Sequence, residues 1–437
     1  MGEWRQCLLS ELCDQGLAEL QTGPFGSQLH AHDYVEEGVP VVPTEAIRAR
    51  KINHEMLPKI SETKAAELTR HRLRIGDILF ARRGVQATGH TGFVRDTEDG
   101  FICGTGAIRL RITRDNLYVF PEYLSHVFAN PASVAWFKFH AIGATMPNLN
   151  EGIIRSFPLS LPPLDIQAQV SKLLSALDDK IELNRQTNET LEAMARALFK
   201  DWFVDFGPTR GKAEGRAPYL APELWELFPD ALDDDDKPVG WENKPLDEIA
   251  EFLNGLALQK FPASDPDDSL PVIKIAELRG GITAKSNRAS REVPDKYIVK
   301  DGDFLFSWSG SLLAKFWTEG EGALNQHLFK VTSDRYPEWF FSQWVHHHLD
   351  EFQAIAASKA TTMGHIQRGH LKAAMTHCPP DDVLSKLGQT VAPLVDACIK
   401  NELESRTLAQ TRDLLLPKLM SGEIRLRDAE KAVEAVA

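Results

Sequence analysis

The chain has 437 residues, room for two or three domains that each bury a core. An apolar fraction of 43% and a charged fraction of 25% set aside a disordered chain, and no uncharged apolar run approaches the roughly 18 residues of a membrane span. A net charge of −13 excludes a protein that coats nucleic acid over its whole surface, and Met1-Gly2-Glu3-Trp4-Arg5 lacks the basic and apolar stretches of an export signal, so a cytoplasmic location is expected.

In the first 160 residues, short runs bounded by turn residues predict strands: Val39-Pro40-Val41-Val42, Asp77-Ile78-Leu79-Phe80, Thr91-Gly92-Phe93-Val94 and residues 107–112. In the last run Ile108, Leu110 and Ile112 alternate with Arg109 and Arg111, the pattern of a half-buried strand. Helical patches follow at 121–128 and 133–139. The expected result is an α+β globule.

Pro162-Pro163 stops one element, and from Asp165 to Asp205 neither Pro nor Gly interrupts a run of helix formers. Val170, Leu174, Leu177, Ile181, Leu191, Ala195 and Leu198 recur at heptad spacing, with Asn184 and Asn188 at two central seam positions. A helix of about 40 residues spans about 60 Å, more than one small domain covers, so it needs a partner. Residues 383–420 offer one: Val391, Leu394, Cys398, Leu408, Leu415 and Leu419 run in comparable phase, and Asn401 and Ser405 interrupt the centre. If the polar centres face each other, the two helices form an antiparallel coiled coil. Two amphipathic helices packed on separate domains are the alternative. Pro393 and Pro417 argue against regular helix at the ends of the second.

Residues 207–240, rich in Pro and Gly and carrying Asp233-Asp234-Asp235-Asp236, read as a mostly irregular connector to a second globule over 241–380. That second half repeats the first. Residues 146–163 (MPNLNEGIIRSFPLSLPP) and 363–380 (MGHIQRGHLKAAMTHCPP) each run from a Met to a Pro-Pro stop before a long helix. Upstream, Gly76-Asp77-Ile78-Leu79-Phe80 answers Gly302-Asp303-Phe304-Leu305-Phe306, and Pro121-Glu122-Tyr123-Leu124 answers Pro337-Glu338-Trp339-Phe340. A period of roughly 220 residues far exceeds the 20–50 of a solenoid, so the chain is two copies of a domain-plus-helix module.

Charge is segregated between these parts. Residues 45–114 hold 14 basic against 8 acidic residues and 274–300 hold 7 against 3, whereas 214–251 hold 12 acidic against 3 basic. A phosphate backbone responds to local potential within a Debye length, so two basic segments suit two DNA contacts; solvated charge on ordinary surfaces is the alternative. The loop after each equivalent strand shares Gly84 and Gly310 and little else. A common frame with divergent loops is what reading two different sequences requires. Candidate DNA contacts are Arg48, Lys51, Arg72, Arg74, Arg82, Arg83, Gln86, Thr88 and His90 in the first copy, and Lys285, Arg288, Ser307, Ser309, Ser311 and Lys315 in the second. A hairpin turn without a ligand is the competing reading for each.

Catalytic signatures are missing. An adenine methyltransferase needs a Gly-rich cofactor loop and an Asn/Asp-Pro-Pro-aromatic tetrad; Pro162-Pro163-Leu164 and Pro379-Pro380-Asp381 have only the prolines, and Cys103-Gly104-Thr105-Gly106 is a lone glycine pair. No phosphate loop or zinc-protease motif occurs. Cys7, Cys13, Cys103, Cys378 and Cys398 are scattered without a Cys-x-x-Cys pair and read as free thiols, while His346-His347-His348 on a helix point in three directions. No catalytic residue, cofactor or metal is expected.

Several segments together resemble the specificity subunit of type I restriction-modification enzymes: Leu161-Pro162-Pro163-Leu164-Asp165-Ile166-Gln167 leading into residues 174–184, Ala197-Leu198-Phe199-Lys200-Asp201-Trp202-Phe203-Val204-Asp205-Phe206, Gly240-Trp241, and Thr361-Thr362-Met363-Gly364-His365-Ile366. The resemblance implies target-recognition domains at 1–160 and 241–380, conserved spacer helices at 161–206 and 381–425, a connector at 207–240 and a tail at 426–437. It further implies an asymmetric split target in double-stranded DNA, two methyltransferase subunits gripped by the chain with restriction subunits alongside, and methyl transfer and cleavage left to those partners. Leu177, Ile181, Leu191, Trp202 and Phe203 are the expected partner surface, with core packing the alternative for the two aromatics. Because Pro379-Pro380-Asp381-Asp382 departs from the family pattern, the second helix is expected to begin later or less regularly than the first. A self-sufficient DNA adenine methyltransferase and a coiled-coil scaffold without DNA contact are the rival readings.

Overall fold

The structure, a computed structural model, describes residues 4–55, 57–113, 118–143, 145–265, 267–358 and 364–434. Met1-Gly2-Glu3, Arg114, Thr361-Thr362-Met363 and residues 435–437 of the tail lie outside the described residues. The chain divides into two compact units, residues 1–180 with 408–437, and residues 181–407.

In the first unit, strands Ala18–Thr22, Ala107–Ile112, Ile78–Ala81 and Thr91–Phe93 lie in that order in an antiparallel sheet. A second sheet orders Ile102–Cys103, Val39–Val42, Lys59–Ile60 and Tyr34–Val35, its first pair parallel. Arg5–Leu8 pairs with Pro158–Leu161 and closes the unit. Ile78, Phe80, Ile108 and Leu110 put one face of the first sheet into a core with Tyr123, Phe128 and Phe137 from helices Pro121–Ala129 and Pro131–His140. Val170 and Leu174 from one long helix and Leu415, Leu416 and Leu419 from the other complete that core.

The second unit has the same plan. Glu251–Asn254, Leu328–Thr332, Phe304–Ser307 and Ala314–Phe316 form the antiparallel sheet, and Arg288–Ser290, Ser269–Ile273, Gly322–Leu324 and Ile298–Val299 form the other, again with one parallel pair, here the central Ser269–Ile273 with Gly322–Leu324. Glu242–Pro245 pairs with Met375–Cys378 as the closing ribbon. Equivalent glycines mark the close crossings: a Cβ on Gly23 would overlap the Gly104 carbonyl oxygen, and one on Gly255 would overlap that of Asn325. Gly104 itself packs against the Val42 carbonyl and Gly106 against the Thr44 hydroxyl, so the glycine pair serves close packing.

The first long helix runs Leu164–Phe199 and continues through a π-helical turn, Lys200–Val204. The extra residue of that turn rotates both Trp202 and Phe203 inward, where they pack with Phe199, Trp241, Trp339 and Phe340. The second runs Asp381–Ser421 without a break. It therefore starts directly after Pro380, at the position equivalent to Leu164, and not later as the acidic pair at 381–382 suggests; Asp381 and Asp382 lie in its first turn, where carboxylates complement the helix dipole. Pro393 and Pro417 sit inside the helix, each removing one hydrogen bond that the buried neighbours Val391, Val395, Leu415 and Leu419 offset. Within the second unit, the polar centres face each other antiparallel. Asn184 donates to the Asn401 carbonyl (3.3 Å), Glu404 (2.7 Å) and Ser405 (3.2 Å), and Asn188 donates to the Cys398 carbonyl (3.0 Å) while its own amide oxygen accepts from Asn401 (2.8 Å).

One further expectation is corrected. Strand Ala107–Ile112 is covered on both faces: Arg111 makes a bidentate pair with buried Asp77 (2.7 and 2.6 Å) and Arg109 donates to the Arg70 carbonyl (3.0 Å) and Glu19 (3.3 Å). Alternation alone could not reveal that a carboxylate roofs the charged face. Residues 207–240 carry two short helices, Gly207–Ala213 and Pro222–Trp225, in an otherwise irregular path that buries Trp225 and Phe228.

Candidate nucleic-acid interface

Strand Ile78–Ala81 leads into a loop, 82–90, whose shape is set from within. Gly84 takes φ +107°, and Thr88 donates its backbone N–H to the Gly84 carbonyl (3.0 Å) and its hydroxyl to the carbonyls of Gly84 (2.7 Å) and Pro147 (3.0 Å). Arg82 is held by the Asn148 side chain (3.0 Å) and the Leu149 carbonyl (3.1 Å). Buried Thr88 and half-buried Arg82 therefore fix the loop, and Arg83 and Gln86 project from it. Loop 308–313 of the second unit repeats the backbone frame: Arg83 bridges Asn148 as Ser309 bridges His365, and the Leu149 N–H donates to the Arg82 carbonyl (2.9 Å) as the Ile366 N–H donates to Trp308 (3.0 Å).

The hairpin of Ile47–Arg48 and Lys51–Ile52 flanks the first loop. Its turn residues Ala49 and Arg50 have φ 48° and 65°, a left-handed pair that L-residues adopt at a cost. That turn sends the Arg50 side chain inward and leaves Arg48 and Lys51 exposed as direct cross-strand neighbours. Like charges placed directly opposite each other destabilise a sheet. His90 is half-buried near Arg48 and Lys138; burial first, and those cations next, push its imidazole below its ordinary range, so it is neutral at pH 7.

The structure thus places Arg83, Gln86 and His90 on one loop, with Arg48 near His90 and Lys51 paired across the hairpin from Arg48. Arg72 and Arg74 precede strand Ile78–Ala81, at the end away from the loop, where the Arg74 N–H donates to Asp77 (2.8 Å). In the second unit, Ser307 is buried on the Ser311 carbonyl (2.8 Å) and Ser309 on His327 (3.0 Å), so Ser311 is the exposed side chain of the three. Its neighbour is Arg279, which donates to the Ser311 hydroxyl and which sequence reasoning counts only as local charge. Arg288 is engaged by Ser269, Lys285 stands on an exposed turn, and Lys315 lines a cavity of about 340 Å³ with Glu192, Arg196, His346 and Cys398.

On the helices, Leu177, Trp202 and Phe203 are buried and Ile181 and Leu191 half-buried. The exposed apolar side chains are instead Leu183 and Met194, eleven residues apart on one face of the first helix, and Leu414 on the second. A seam pattern finds what is inside, so it passes over these. Of the three consecutive histidines, His346 meets Phe304, His347 meets Trp344, and His348 bonds the Met375 carbonyl (3.0 Å). Among the described residues, the ligating atoms of His30, His32 and Asp33 lie within 4.8 Å of one another, but the Lys64 ammonium stands 3.6 Å from Asp33 and competes for it.

A duplicated α+β unit on paired helices, with loops of different chemistry on one frame, is the architecture of a subunit that recognises a DNA sequence. The type I restriction modification DNA specificity domain matches residues 19–193 and again 238–410, and the chain belongs to that family. It is 24% identical over 406 residues to the HindI specificity subunit of Haemophilus influenzae, covering 80% of this chain and 87% of that one. It is 26% identical over 325 residues to the MjaIX specificity subunit of Methanocaldococcus jannaschii, covering 71% and 70%. The crystal structure of the type I restriction-modification S subunit from M. genitalium superposes with a TM-score of 0.53 at 14% identity over 95% of this chain and 96% of that one, a likeness of fold. No helix among the described residues is long and apolar enough to cross a membrane.

Proposed function

We propose that the chain reads a DNA target in two parts, one per recognition unit, and presents it to partner subunits that carry out the chemistry. Loop 82–90 with Arg48 and Lys51 reads one half-site; Ser311 and Arg279, with Lys285 nearby in sequence, serve the other. Exposed guanidinium and amide groups match base-edge acceptors, while cations at the rim meet phosphates. What supports this above all is the repeated frame carrying Arg82-Arg83-Gly84 in one unit and Trp308-Ser309-Gly310 in the other.

In this reading two methyltransferase subunits dock on the long helices, where Leu183, Met194 and Leu414 offer exposed apolar contacts, and restriction subunits join them in the cytoplasm. The adenine leaves the stack for a partner's pocket, which this chain only aims. The test is to express the chain with its methyltransferase partner and map methylated adenines genome-wide. A split, asymmetric motif is expected; one unbroken motif, or methyl transfer by the purified chain alone, would overturn the reading.

A further inference from the structure

The first unit carries apolar side chains that its core does not use. Val85, Phe139, Ile142 and Met146 are all exposed, Phe139 to 85% and Ile142 to 62%. Contacts within the unit bring the three segments that carry them together. Helix Pro131–His140 packs so closely on the loop that a Cβ on Gly89 would meet the Phe137 Cβ at 3.2 Å, and Lys138 reaches His90 at 3.5 Å. The following turn is closed by paired bonds between Ile142 and Asn148 (3.0 and 2.9 Å) and lies across the base of the loop through Pro147 and Leu149. Phe139 leaves from the helix end, Ile142 and Met146 from the turn, and Val85 from the loop tip.

A clustered exposed apolar surface marks a binding face. Its rim identifies the occupant, since Arg48, Arg83 and Lys138 are exposed around it. An apolar ridge flanked by cations complements a duplex, whose phosphate rails border grooves lined by sugars and thymine methyls. An apolar protein face would offer those three exposed cations no complementary charge. In the second unit the residue after the matching glycine is Ser311 in place of Val85, so the two loops differ in this apolar character as well.

We propose that Phe139, Ile142, Met146 and Val85 form an apolar wedge that enters a groove of the first half-site and packs on base and sugar edges while Lys138 and Arg83, the latter a rim cation and not a base reader, hold the phosphates and Gln86 is left to the base edges. The proposal rests on the reading of this unit as DNA-binding. It implies a share of affinity that does not vary with salt, because packing of apolar groups releases no counterions.

The test uses the full chain reconstituted with its methyltransferase partner and a duplex bearing the mapped target, titrated over a salt series. Phe139→Ala combined with Ile142→Ala, both highly exposed, should leave the thermal midpoint unchanged and lower affinity about 10- to 100-fold at every salt concentration with the salt slope intact. Arg83→Glu should weaken binding and flatten the slope by about 0.9 for each phosphate that is no longer neutralised. If the apolar double variant binds as the parent does while Arg83→Glu does not, the wedge is overturned and DNA reading stands. A double variant that fails to assemble with methyltransferase subunits would make the ridge a protein-docking face, also overturning the wedge. Unchanged binding by both variants would overturn the assignment of the unit to DNA.

Discussion

Arg412 donates to Asp178 across 2.6 Å, and Arg50 takes the other oxygen of the same carboxylate. Within the first unit, one buried acid thus ties a flanking hairpin of the recognition sheet to both long helices. Arg50 is further held by the Ser125 hydroxyl (2.9 Å) and lies 3.7 Å from Glu122. Its side chain is buried, so its charge depends on those acids. Asp178→Ala leaves two guanidinium groups facing each other and should cost about 3–5 kcal/mol, localised by hydrogen exchange to residues 1–180. Replacing the trio together, with Arg50→Met, Asp178→Leu and Arg412→Met, should come within about 1 kcal/mol of the parent. Equal losses in the single and triple variants would show that the site's value is not ionic compensation.

Arginines in the same basic segment divide by role. Arg111→Glu sets a second carboxylate beside buried Asp77 and should destabilise the unit by several kcal/mol, on the order of a broken buried pair. Arg83→Glu, at an exposed loop tip, should move stability by no more than about 0.5 kcal/mol. Urea denaturation separates the two, and matching losses would mean that Arg83 is structural.

Acid should weaken the second unit through His346. Burial first, and Arg196 second, hold its pKa at about 4 against the ordinary 6.5. The folded state therefore refuses a proton that the unfolded state accepts. Its contribution is complete above pH 6.5 and is lost as pH falls toward 4, up to about 3 kcal/mol in all. His346→Gln should narrow the gap between urea midpoints measured at about pH 7 and about pH 4.5. An undiminished gap would assign the acid sensitivity to other groups.

Gly255→Ala must drive a methyl group into the Asn325 carbonyl oxygen and should cost more than about 2 kcal/mol. At Gly280, where nothing lies within 4 Å, the same change should be neutral or stabilising by up to about 1 kcal/mol. The thermal midpoint should fall for Gly255→Ala and hold or rise for Gly280→Ala; a tolerated Gly255→Ala would mean the crossing is looser than the structure has it.

The antiparallel seam is legible in sequence because Asn184, Asn188, Asn401 and Ser405 break two heptad patterns at matching places, and buried polar groups find each other. The duplication is legible for a similar reason: Met146 and Met363 head equal spacings to Pro-Pro. What escapes is what depends on tertiary cover. The Arg109 and Arg111 face reads as solvated because Asp77 is distant along the chain, and Trp202 and Phe203 read as available because a π turn has no periodic signature. Side-chain chemistry alone makes Thr88, Ser307 and Ser309 candidates, yet whether a hydroxyl faces DNA or its own loop depends on backbone carbonyls that composition does not place. Phe139 escapes selection because an apolar residue at the end of a helical patch reads as core.

If, as the proposed reading requires, the paired helices set the distance between two half-site readers, inserting four residues after Asn188 and four at the facing position after Ile399, then mapping methylated adenines made by the complex, tests it most directly. One added turn of about 5.4 Å should leave both half-sites unchanged and widen the unread gap by about 1–2 base pairs, at about 3.4 Å per pair. Methylation at the parental spacing, or at a continuous sequence, would contradict it.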